Sequence, residues 1–432
     1  MTYLEIVGFV GSLLSGLIGL ISLHFAIFTV AGIFLKKKFP KAKEKCRFGI
    51  VVAARNEETV IGNLIESVFV NGYDKDLLEV FVAAHNCTDG TARAARERGA
   101  TVYEYNDSEK CTKGYALHHL FEQIRREGKM ERFDGFIILD ADNILGKDYI
   151  SNMNDAFVYY GKKHTVTSFR HSKNFGYNTL SAIYGIFWIW GCRMEMRGRC
   201  ALDCSTRVPG TGFVISRDVA NAGWNYVTLT EDWEFSADRI IAGEKIYYCD
   251  DAVFYDEQPT DLHIMWRQRV RWARGHLIVF TTRAKALLRA LFTPKKQGGS
   301  RCKGSAYDML SNIFPAVLLT TAIGVLQLVL YLLAPLFGVD GMGAFLGALK
   351  NTAVSFVGVY LGTMLMTAAI YFLERERIKG VRIGTKILSV LGYPLFTGIN
   401  IFCIIAALFS KNLKWKTIPH KDTTTFDDLN RT

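Results

Sequence analysis

The chain has 432 residues, of which 50% are hydrophobic and 22% charged, and its formal net charge is +11. This length allows two or three domains, and the mixture suits a membrane protein with a large water-exposed part. The excess of Lys and Arg is expected beside membrane segments or anionic ligands. No zinc-finger spacing or basic–aromatic module indicates binding to nucleic acid.

The first predicted element is an almost wholly apolar run from Ile6 to Leu35, which at about 30 residues can cross a bilayer with some tilt. A signal peptide would have a basic start and a shorter apolar part. Lys36-Lys37-Lys38 follows the run. The positive-inside rule then places the N-terminus outside and the next domain in the cytoplasm. We assign residues 1–45 to an N-terminal transmembrane helix with a basic flank.

Residues 46–260 are predicted to form an α/β domain with a mostly parallel sheet, because short apolar strands alternate with amphipathic helices. The predicted strands cover 48–54, 78–84, 101–105 and 135–139, and the helices cover 56–70, 88–98 and 113–126. Ligands bind beyond the carboxyl ends of parallel strands. We therefore expect Asn56, Asn86 and Asp140, each of which follows a strand, to converge on one site.

Two further helical stretches, 177–197 and 262–292, mix aromatic residues with arginines. This composition suits helices in the lipid headgroup region, and the alternative is helices buried in the water-exposed part. We assign 261–304 to an interfacial helix with a basic linker. The nine cysteines are scattered without a Cys-x-x-Cys pair, which predicts reduced thiols in a cytosolic compartment.

Three apolar segments follow, at about 310–339, 353–373 and 387–409, so we assign 305–410 to C-terminal transmembrane helices and 411–432 to a polar tail. One span before the domain and three after it place the C-terminus outside, whereas the lysines of the tail favour the inside. Gly392 and Pro394 make the last segment the candidate for a re-entrant loop. We expect a multi-pass protein of the plasma membrane with a cytoplasmic catalytic domain.

Asp140-Ala141-Asp142 comes directly after the fourth predicted strand. Two carboxylates one residue apart can both reach one hard divalent cation, and Mg²⁺ or Mn²⁺ commonly bridges such oxygens to a substrate diphosphate. Asp is also frequent in strand-to-helix turns, so a plain turn or helix cap is the alternative.

Thr230-Glu231-Asp232 stands at the start of a predicted helix that ends near Ile241. Thr230 could be the N-cap of this helix, and the helix dipole would then favour acids in the first turn. The functional alternative is a general base that removes the proton of an attacking sugar hydroxyl. We expect an Asp at this place to be ionised at neutral pH.

Gln268, Arg271 and Trp272 share one face of the predicted helix over 262–292. Arg271 can neutralise charge on a leaving diphosphate, and Trp272 offers a flat apolar surface to a pyranose ring. The alternative is an interfacial helix whose arginines snorkel towards water.

Residues after the first two strands and at one helix start are candidates for a nucleotide-sugar site, with Lys113 as a possible phosphate contact. This set contains Ala54, Asn56, Glu57, Asn86, Asp89, Lys113 and Asp140. Gly210-Thr211-Gly212 forms a turn where the backbone could approach a ligand closely. Each of these motifs alone is more often a cap or a turn.

Together and in this order, the motifs resemble those of the membrane-embedded family 2 glycosyltransferases, which include processive synthases of hyaluronan, chitin, poly-N-acetylglucosamine and cellulose. The resemblance covers roughly 48–276 and implies a GT-A nucleotide-sugar domain packed on interfacial helices and a transmembrane bundle. It implies a metal held by Asp142 with Asp140. It also implies that Asp232, beside Glu231, is the base. By the same resemblance, Gln268–Trp272 lies near the acceptor and the diphosphate.

The resemblance further implies an inverting hexosyltransferase that uses Mg²⁺ or Mn²⁺ and a UDP-sugar, with N-acetylglucosamine or glucose as the leading donor sugars. The expected acceptor is a growing β-linked polysaccharide, whose export by the same chain stays open. The alternative acceptor is a lipid that receives one sugar, as in glucosylceramide-type enzymes.

One position departs from the pattern of the family. His85 stands where relatives often carry an acid that contacts the nucleotide. A non-catalytic membrane scaffold would be the alternative to an enzyme, and the intact Asp140, Asp232 and Arg271 argue against it. No feature of the sequence indicates an oligomeric state.

Overall fold

The structure is a computed structural model that describes residues 2–293, 303–410 and 420–430. Two apolar helices begin the chain, α1 (Tyr3–Ser22) and α2 (His24–Phe34). They pack against a later helix, where a Cβ on Gly198 would overlap the backbone of Phe28. The N-terminal helices are therefore in direct contact with the water-exposed domain.

The α/β domain contains eight strands in one mixed sheet. The strands are β1 (Phe48–Ala54), β2 (Leu78–His85), β3 (Thr101–Tyr105), β4 (Gly135–Asp140), β5 (Ile144–Leu145), β6 (Thr165–Ser172), β7 (Phe213–Ser216) and β8 (Ile246–Asp256). Their order is β3-β2-β1-β4-β7-β6-β8-β5. Strands β3, β2, β1 and β4 are parallel, as are β6 and β8, whereas β7 is antiparallel to both of its neighbours and β5 to β8. The expectation of a mostly parallel sheet is confirmed.

Helices cover both faces of this sheet. They are α3 (Ile61–Phe69), α4 (Thr91–Glu97), α5 (Lys113–Arg126), α6 (Tyr149–Tyr159), α7 (Thr179–Trp190), α8 (Arg197–Ala201), α9 (Arg217–Asn221) and α10 (Glu231–Ile241). Successive strand residues point to opposite faces. Ile50 and Val52 accordingly pack in one core with α3 and α6, and Val51 packs in a second core with α5. The two cores hold the sheet between them and so fix the position of the edge at which β1, β2 and β4 end.

Several predicted bounds coincide with the structure, including those of β1, β3, α5 and the helix over 262–292. The first two predicted helices begin too early, because turns precede them. Asn56 has a φ of +58° and Asn86 a φ of +51°. This left-handed backbone is tolerated by Asn but cannot continue into a helix. Helix α3 therefore begins at Ile61 and α4 at Thr91.

The C-terminal half is helical in its described parts. It contains α11 (Leu262–Phe292), α12 (Lys303–Ile313), α13 (Ala316–Leu332), α14 (Met342–Leu373), α15 (Ile383–Gly398), α16 (Asn400–Phe409) and α17 (Phe426–Asn430). Three stretches, Tyr3–Phe34, Met342–Leu373 and Ile383–Phe409, are long and apolar enough to span a membrane. The pair α12–α13 would add a fourth if it is counted as one bent span.

The interruption among the apolar segments lies elsewhere than predicted. Helices α12 and α13 are bent by 52° at their break, which contains Pro315. Proline has no backbone N–H and its ring collides with the preceding turn, so it favours a break there. Pro394, by contrast, lies inside α15, and Ile383–Phe409 qualifies as one span. The re-entrant candidate therefore moves from the last segment to α12–α13.

The aromatic stretch 177–197 forms α7 and then a π-helical turn, Gly191–Met196, that continues into α8. Most of α7 is buried, including Tyr184 and Trp188, between the sheet and α15. Because α15 belongs to a candidate membrane span, the interfacial interpretation of this stretch stays a prediction.

A buried charge network joins the domain to the segment after α14. The carboxylate of Asp250 in β8 accepts hydrogen bonds from Arg197 at 2.7 Å and Arg377 at 3.0 Å. Burial alone would raise the pKa of Asp250, but Arg377, Arg197 and Lys36 hold it far below its usual range. The network therefore depends on a permanently ionised Asp250.

We expect Asp250→Asn to destabilise the junction by about 3–5 kcal/mol, because losing one charge of a buried ion pair leaves its partners uncompensated. The measurement is the midpoint of thermal unfolding of the detergent-purified protein, followed by tryptophan fluorescence. Asp251→Asn is the matched control, since the Asp251 side chain is 46% exposed and pairs with Lys36 at the surface. Equal midpoints for the two variants would contradict this role.

Candidate active site

A cavity of about 680 Å³ lies beyond the carboxyl ends of β1 and β4, a volume within the usual range for small-molecule sites. Helices α5, α7, α10 and α11 complete its wall. It brings together most of the residues that the sequence singled out. These are Ala54, Glu57, Lys113, Asp140, Asp142, Gly210, Glu231, Asp232, Gln268, Arg271 and Trp272.

Five predicted site residues are not among the described residues that line the cavity: Asn56, Asn86, Asp89, Thr211 and Gly212. Their roles as ligand contacts stay predictions, and in the structure they brace the loops around the cavity. Asn56 Oδ1 accepts a hydrogen bond from Thr88 N at 2.8 Å. Asn86 Oδ1 accepts one from Asp107 N at 2.8 Å.

The other three residues, Asp89, Thr211 and Gly212, also support the loops around the cavity. Asp89 Oδ1 accepts a hydrogen bond from Thr91 N at 3.1 Å. Thr211 Oγ1 accepts one from Asp140 N at 2.8 Å, so it fixes the backbone of the acidic motif. Gly212 has a φ of +69°, and a Cβ there would overlap the ring of Phe254.

Lys113 connects three parts of the cavity wall. Its Nζ forms an ion pair with Asp140, donates a hydrogen bond to Gly210 O at 2.7 Å and lies 3.9 Å from Glu231 Oε1. Burial would lower the pKa of Lys113, but the carboxylates of Asp140 and Glu231 raise it. Helix α5 can begin this close because the next residue, Gly114, has no Cβ to overlap Tyr226 O. Lys113 thus balances the acids, and its predicted phosphate contact stays a prediction.

Glu231 and Asp232 form an acidic pair at the start of α10. Burial raises the pKa of Glu231 to about 7, against the opposing effect of Lys113, and burial likewise raises the pKa of Asp232. The pKa of Asp232 therefore lies above that of an exposed Asp, and its ionisation at neutral pH stays a prediction. Asp232 Oδ1 accepts a hydrogen bond from Trp233 N at 2.9 Å, and its side chain is partly exposed to the cavity. A carboxyl whose pKa is raised towards the working pH suits proton transfer.

The alternative explanation for these acids, a helix cap with acids in the first turn, is met only in part: Glu231 and Asp232 lie in the first turn of α10. Thr230 occupies the N-cap position of α10, but its side chain makes no capping hydrogen bond. Its buried hydroxyl has no hydrogen-bond partner among the described residues. Instead, Thr230 packs against Gly275 of α11, where a Cβ would overlap it. Thr230 and Gly275 therefore set how closely α11 approaches the acidic pair.

One face of α11 supplies the other end of the cavity. Arg271 donates a hydrogen bond to Leu229 O at 3.0 Å and lies near both acids of the pair, while Gln268 accepts one from Tyr184 at 3.0 Å. The Trp272 ring stacks on Phe187 at 6.3 Å and meets Trp188 edge-on at 5.8 Å between ring centroids. The arrangement presents a cation and an aromatic surface to the same space.

The opposite face of α11 contacts a candidate membrane span. Val270 and Ala273 pack against Cys403 and Ala407 of α16. The helix is therefore the shared wall between the cavity and the apolar helices, as expected for a helix that carries a site beside a bilayer.

Beside the pair of Lys113 and Asp140, the cavity wall contains an ion pair that the sequence did not indicate, between Arg170 and Asp256. Arg170 of β6 donates from Nε to Asp256 at 2.8 Å and from Nη1 to Pro209 O at 2.8 Å, and its guanidinium lies 3.5 Å from the Trp188 ring centroid. Burial raises the pKa of Asp256 to about 6, although Arg170 opposes this. A possible signal in the sequence was two charged residues inside otherwise buried strands.

His85, the position that departs from the family pattern, lines the cavity. Its ring stacks on Tyr105 with centroids 4.9 Å apart, and it is 2% exposed. Burial lowers the pKa of His85, so the ring is neutral at physiological pH. It contributes an aromatic surface and no negative charge at this place.

The donor groups of the cavity fit a divalent cation. Asp142 is buried, and its Oδ2 accepts a hydrogen bond from Glu257 N at 2.9 Å. Burial would raise the pKa of Asp142, but His420 and Lys173 lower it, so the carboxylate is ionised. No three metal-ligating side chains are already grouped within the described ranges. Mg²⁺ and Mn²⁺ sites commonly combine one or two carboxylates with water and substrate phosphates, which this set allows.

The amino-acid sequence matches a family model described as glycosyltransferase-like family 2 over residues 46–275, more than half of the chain. The chain therefore belongs to family 2 of the glycosyltransferases. The family assignment made from the sequence motifs is confirmed.

Curated relatives are distant. The probable glycosyltransferase YdaM of Bacillus subtilis is 26% identical over 245 residues, which cover 55% of this chain and 57% of its own. The beta-monoglucosyldiacylglycerol synthase of Synechocystis is 24% identical over 240 residues, covering 52% and 47%. The 4,4'-diaponeurosporenoate glycosyltransferase of Staphylococcus aureus is 32% identical over 145 residues, covering 33% and 36%. The chain spans about half the length of the first two relatives.

A solved structure has the same fold. The mannosyltransferase PcManGT of Pyrobaculum calidifontis, in complex with GDP-Man and Mn²⁺, superimposes with a TM-score of 0.56 at 16% identity. The match covers 95% of this chain and 100% of that chain. The expected fold class, a GT-A-type domain with accompanying apolar helices, is confirmed.

We expect Gly275→Ala to slow sugar transfer about ten- to a hundredfold, because the new methyl group pushes α11 away from Thr230 and misplaces Arg271 against the acidic pair. Nucleotide binding should change little. The measurement is a double-mutant cycle of transfer rates with Thr230→Ala, which removes the two closest overlapping atoms, Cγ2 and Oγ1, and so relieves most of the overlap. Additive losses in the double variant would show that the two residues do not set this distance.

Proposed function

We propose that this family 2 glycosyltransferase moves a hexosyl residue from a UDP-sugar to a hydroxyl of a β-linked glycan, with inversion at the anomeric carbon. The observation that carries the proposal is the acidic pair Glu231–Asp232, whose raised pKa values suit a general base, facing Arg271 across one cavity. N-acetylglucosamine or glucose is the proposed sugar.

Asp232 is the proposed base. It takes the proton of the acceptor hydroxyl while the oxygen attacks the anomeric carbon of the donor. Its partly exposed carboxylate can reach an acceptor in the cavity, whereas Glu231 faces Lys113 at 3.9 Å. Glu231 then holds Lys113 in place and tunes the pKa of its neighbour as a like charge.

The leaving diphosphate is proposed to lie between Arg271 and the acidic motif. Arg271 is half-buried, and within the part of the chain that the structure describes its side chain donates a hydrogen bond to Leu229 O at 3.0 Å, so its other donors can face the phosphate oxygens. A Mg²⁺ or Mn²⁺ ion held by Asp142 with Asp140 would stabilise the departing charge. The Mn²⁺ and GDP-Man bound by PcManGT support a metal and a nucleotide sugar here.

The acceptor is proposed to lie on Trp272 and the aromatic rings beside it. Trp272, Phe187 and Trp188 form a continuous apolar surface with Gln268 at its edge. Sugar rings present flat apolar faces with polar edges, so they match such a surface. The proposal places the acceptor's last sugar against Trp272, with its hydroxyl towards Asp232.

A lipid acceptor that receives one sugar is the second candidate. No described residue of α12–α16 lines the cavity. The described part of the cavity wall therefore gives no support to export of a polymer through those helices. The start of α11, beside the cavity, exposes Leu262 and Trp266, which suit contact with acyl chains. The names of two relatives agree with this candidate, namely the beta-monoglucosyldiacylglycerol synthase of Synechocystis and the 4,4'-diaponeurosporenoate glycosyltransferase of Staphylococcus aureus.

Product analysis separates the two acceptors. The full chain in nanodiscs would be incubated with each of a panel of labelled UDP-sugars and a divalent cation, and the product would be sized and extracted into organic solvent. A ladder of water-soluble glycans supports the polymer. One labelled lipid with a single sugar contradicts it and supports the second candidate.

We expect Asp232→Asn to reduce transfer by about 10²–10⁴-fold, because the amide cannot accept the hydroxyl proton. Binding of the UDP-sugar, measured by calorimetry, should be retained. Asp238→Asn is the matched control on the outer side of α10, where Asp238 pairs with Arg283 at 2.7 Å. Unchanged turnover in Asp232→Asn would remove Asp232 as the base.

The rate of transfer should fall as pH decreases through the pKa of the proposed base, Asp232, which burial raises. The base acts unprotonated, so a raised pKa places the acid limb above that of an exposed carboxyl, at about 4. Glu231→Gln should move the limb to lower pH, because it removes the neighbouring negative charge. The measurement is kcat/KM from pH-dependent UDP release. An acid limb at the same pH in Glu231→Gln as in the wild type would show that the acidic pair does not set the pH dependence of transfer.

A further inference from the structure

The side chain of Arg170 stands where three parts of the cavity wall meet. Its Nε donates a hydrogen bond to Asp256 of β8 at 2.8 Å, and its Nη1 donates one to Pro209 O at 2.8 Å. The guanidinium carbon lies 3.5 Å from the centroid of the Trp188 ring, over its face. Arg170 therefore connects the sheet, the turn before β7 and helix α7.

A second contact holds the Trp188 ring at its edge. The indole N–H of Trp188 donates a hydrogen bond to Gln258 Oε1 at 2.9 Å, and the amide of Gln258 donates one to Asp256 Oδ1 at 2.6 Å. Asp256 thus accepts from Arg170 on one carboxylate oxygen and from Gln258 on the other. These four side chains form a closed cycle of contacts, the Trp188 clamp, in which Trp188 cannot turn without breaking a bond.

The Trp188 clamp is buried in the cavity wall, and all four of its residues line the cavity. The side chains of Arg170 and Asp256 are 12% and 3% exposed. A buried ion pair contributes little more to stability than apolar residues of the same volume would, because both charges lose their water. Stability alone is therefore a poor reason for a charged pair at this place.

The contacts of the clamp reach both sides of the proposed reaction. Trp188 meets Trp272 edge-on with ring centroids 5.8 Å apart, so it belongs to the proposed acceptor surface. Pro209 precedes Gly210, where an added Cβ would lie 3.6 Å from Asp232 Oδ2. One guanidinium thus fixes the surface on which the acceptor would lie and the turn that contacts the proposed base.

We propose that Arg170 is a positioning residue of the transfer reaction, which holds the acceptor surface at a fixed distance from Asp232 by fixing Trp188 and the turn at Pro209. The inference rests on the proposed function, because it takes Trp188 as part of the acceptor surface and Asp232 as the base. The guanidinium is already engaged with Asp256, Pro209 O and the Trp188 ring. Arg170 therefore acts through these neighbours and not on the substrate.

Loss of this positioning has a specific chemical consequence. In transfer, the acceptor oxygen attacks the anomeric carbon, the bond from that carbon to UDP breaks, and the hydroxyl proton passes to Asp232. In hydrolysis, water attacks the same carbon, free sugar and UDP are released, and the proton of the water passes to Asp232. An acceptor that is held less firmly leaves the carbon open to water. The ratio of hydrolysis to transfer therefore reports the position of the acceptor, whereas the amount of folded protein changes both rates equally.

Arg170→Lys tests the proposal. Lysine keeps a charge opposite Asp256, but a point charge cannot cover the indole and donate to Pro209 O at the same time. The full chain in nanodiscs that contain diacylglycerol would be given Mn²⁺, labelled UDP-glucose or UDP-N-acetylglucosamine, and β-linked disaccharides of these sugars. Transfer of label to disaccharide or lipid should fall about 10–100-fold, and the ratio of hydrolysis to transfer should rise about tenfold or more.

Arg197→Lys is the matched control. Arg197 pairs with Asp250 in a similarly buried ion pair, with side chains 8% and 2% exposed, and it is not among the described residues that line the cavity. This variant should lower the midpoint of thermal unfolding but keep the wild-type ratio of hydrolysis to transfer. Binding of UDP, measured by calorimetry, should be retained in both variants.

A double-mutant cycle shows whether Arg170 works through Trp188. Trp188→Phe removes the indole N–H and part of the ring face, so the ratio should rise in this variant as well. In the Trp188→Phe background, Arg170→Lys should change the ratio much less than in the wild type, because the surface that it positions is already altered. A wild-type ratio in Arg170→Lys, or effects that simply multiply in the double variant, would overturn the proposal.

Gln258→Met extends the test to the case in which Arg170→Lys does not fold. It leaves Arg170 paired with Asp256 and removes the acceptor of the Trp188 N–H, so an unchanged ratio in this variant would contradict the clamp. A wild type that neither transfers nor hydrolyses either UDP-sugar would contradict the proposed function and the role of Arg170 with it. A wild type that transfers sugar, with variants that keep its ratio, would contradict the role of Arg170 alone.

Discussion

The ion pair between Lys113 and Asp140 is the interaction on which the rest of the site depends. The cavity collects several carboxylates, and burying them without compensation would be strongly unfavourable. Lys113 supplies a central positive charge, and by reaching Gly210 O and Glu231 it also fixes the positions of the neighbouring turn and of α10. Those contacts come from distant parts of the chain. The same side chain therefore balances the charge of the site and fixes its geometry.

Helix α11 connects this site to the apolar helices. Arg271 and Trp272 face the cavity, while Val270 and Ala273 on the other side pack against α16. The helix cannot shift towards one neighbour without leaving the other. Gly275 marks one place of close fit, because a Cβ there would overlap Thr230. The site is thereby held at a fixed distance from the candidate membrane spans, which is where an acceptor made or held at a bilayer would be presented.

Sequence patterning predicted the elements that are governed by local rules. Strand β3 and helices α5 and α11 have the predicted bounds, because apolar periodicity and chain length define them well. The helices after Asn56 and Asn86 were predicted too long, since non-helical turns follow these two left-handed residues before α3 and α4 begin. Pro315 likewise decided the bend between α12 and α13, a position that apolarity alone does not mark.

The sequence by itself singled out the candidate reactive groups, because carboxylate and guanidinium side chains in three motifs mark them: Asp140 with Asp142, Asp232, and Arg271. The tertiary structure alone decided what surrounds them. The raised pKa values of the acidic pair come from burial, and burial depends on how α10, α11 and β4 pack. The position of His420 depends on its own hydrogen bond with Glu57 and on the bonds that Lys421 and Asp422 donate to Glu257, and both acids lie more than 160 residues away in the chain. Long-range contacts of this kind leave no periodicity or spacing in the sequence, so only the folded chain reveals them.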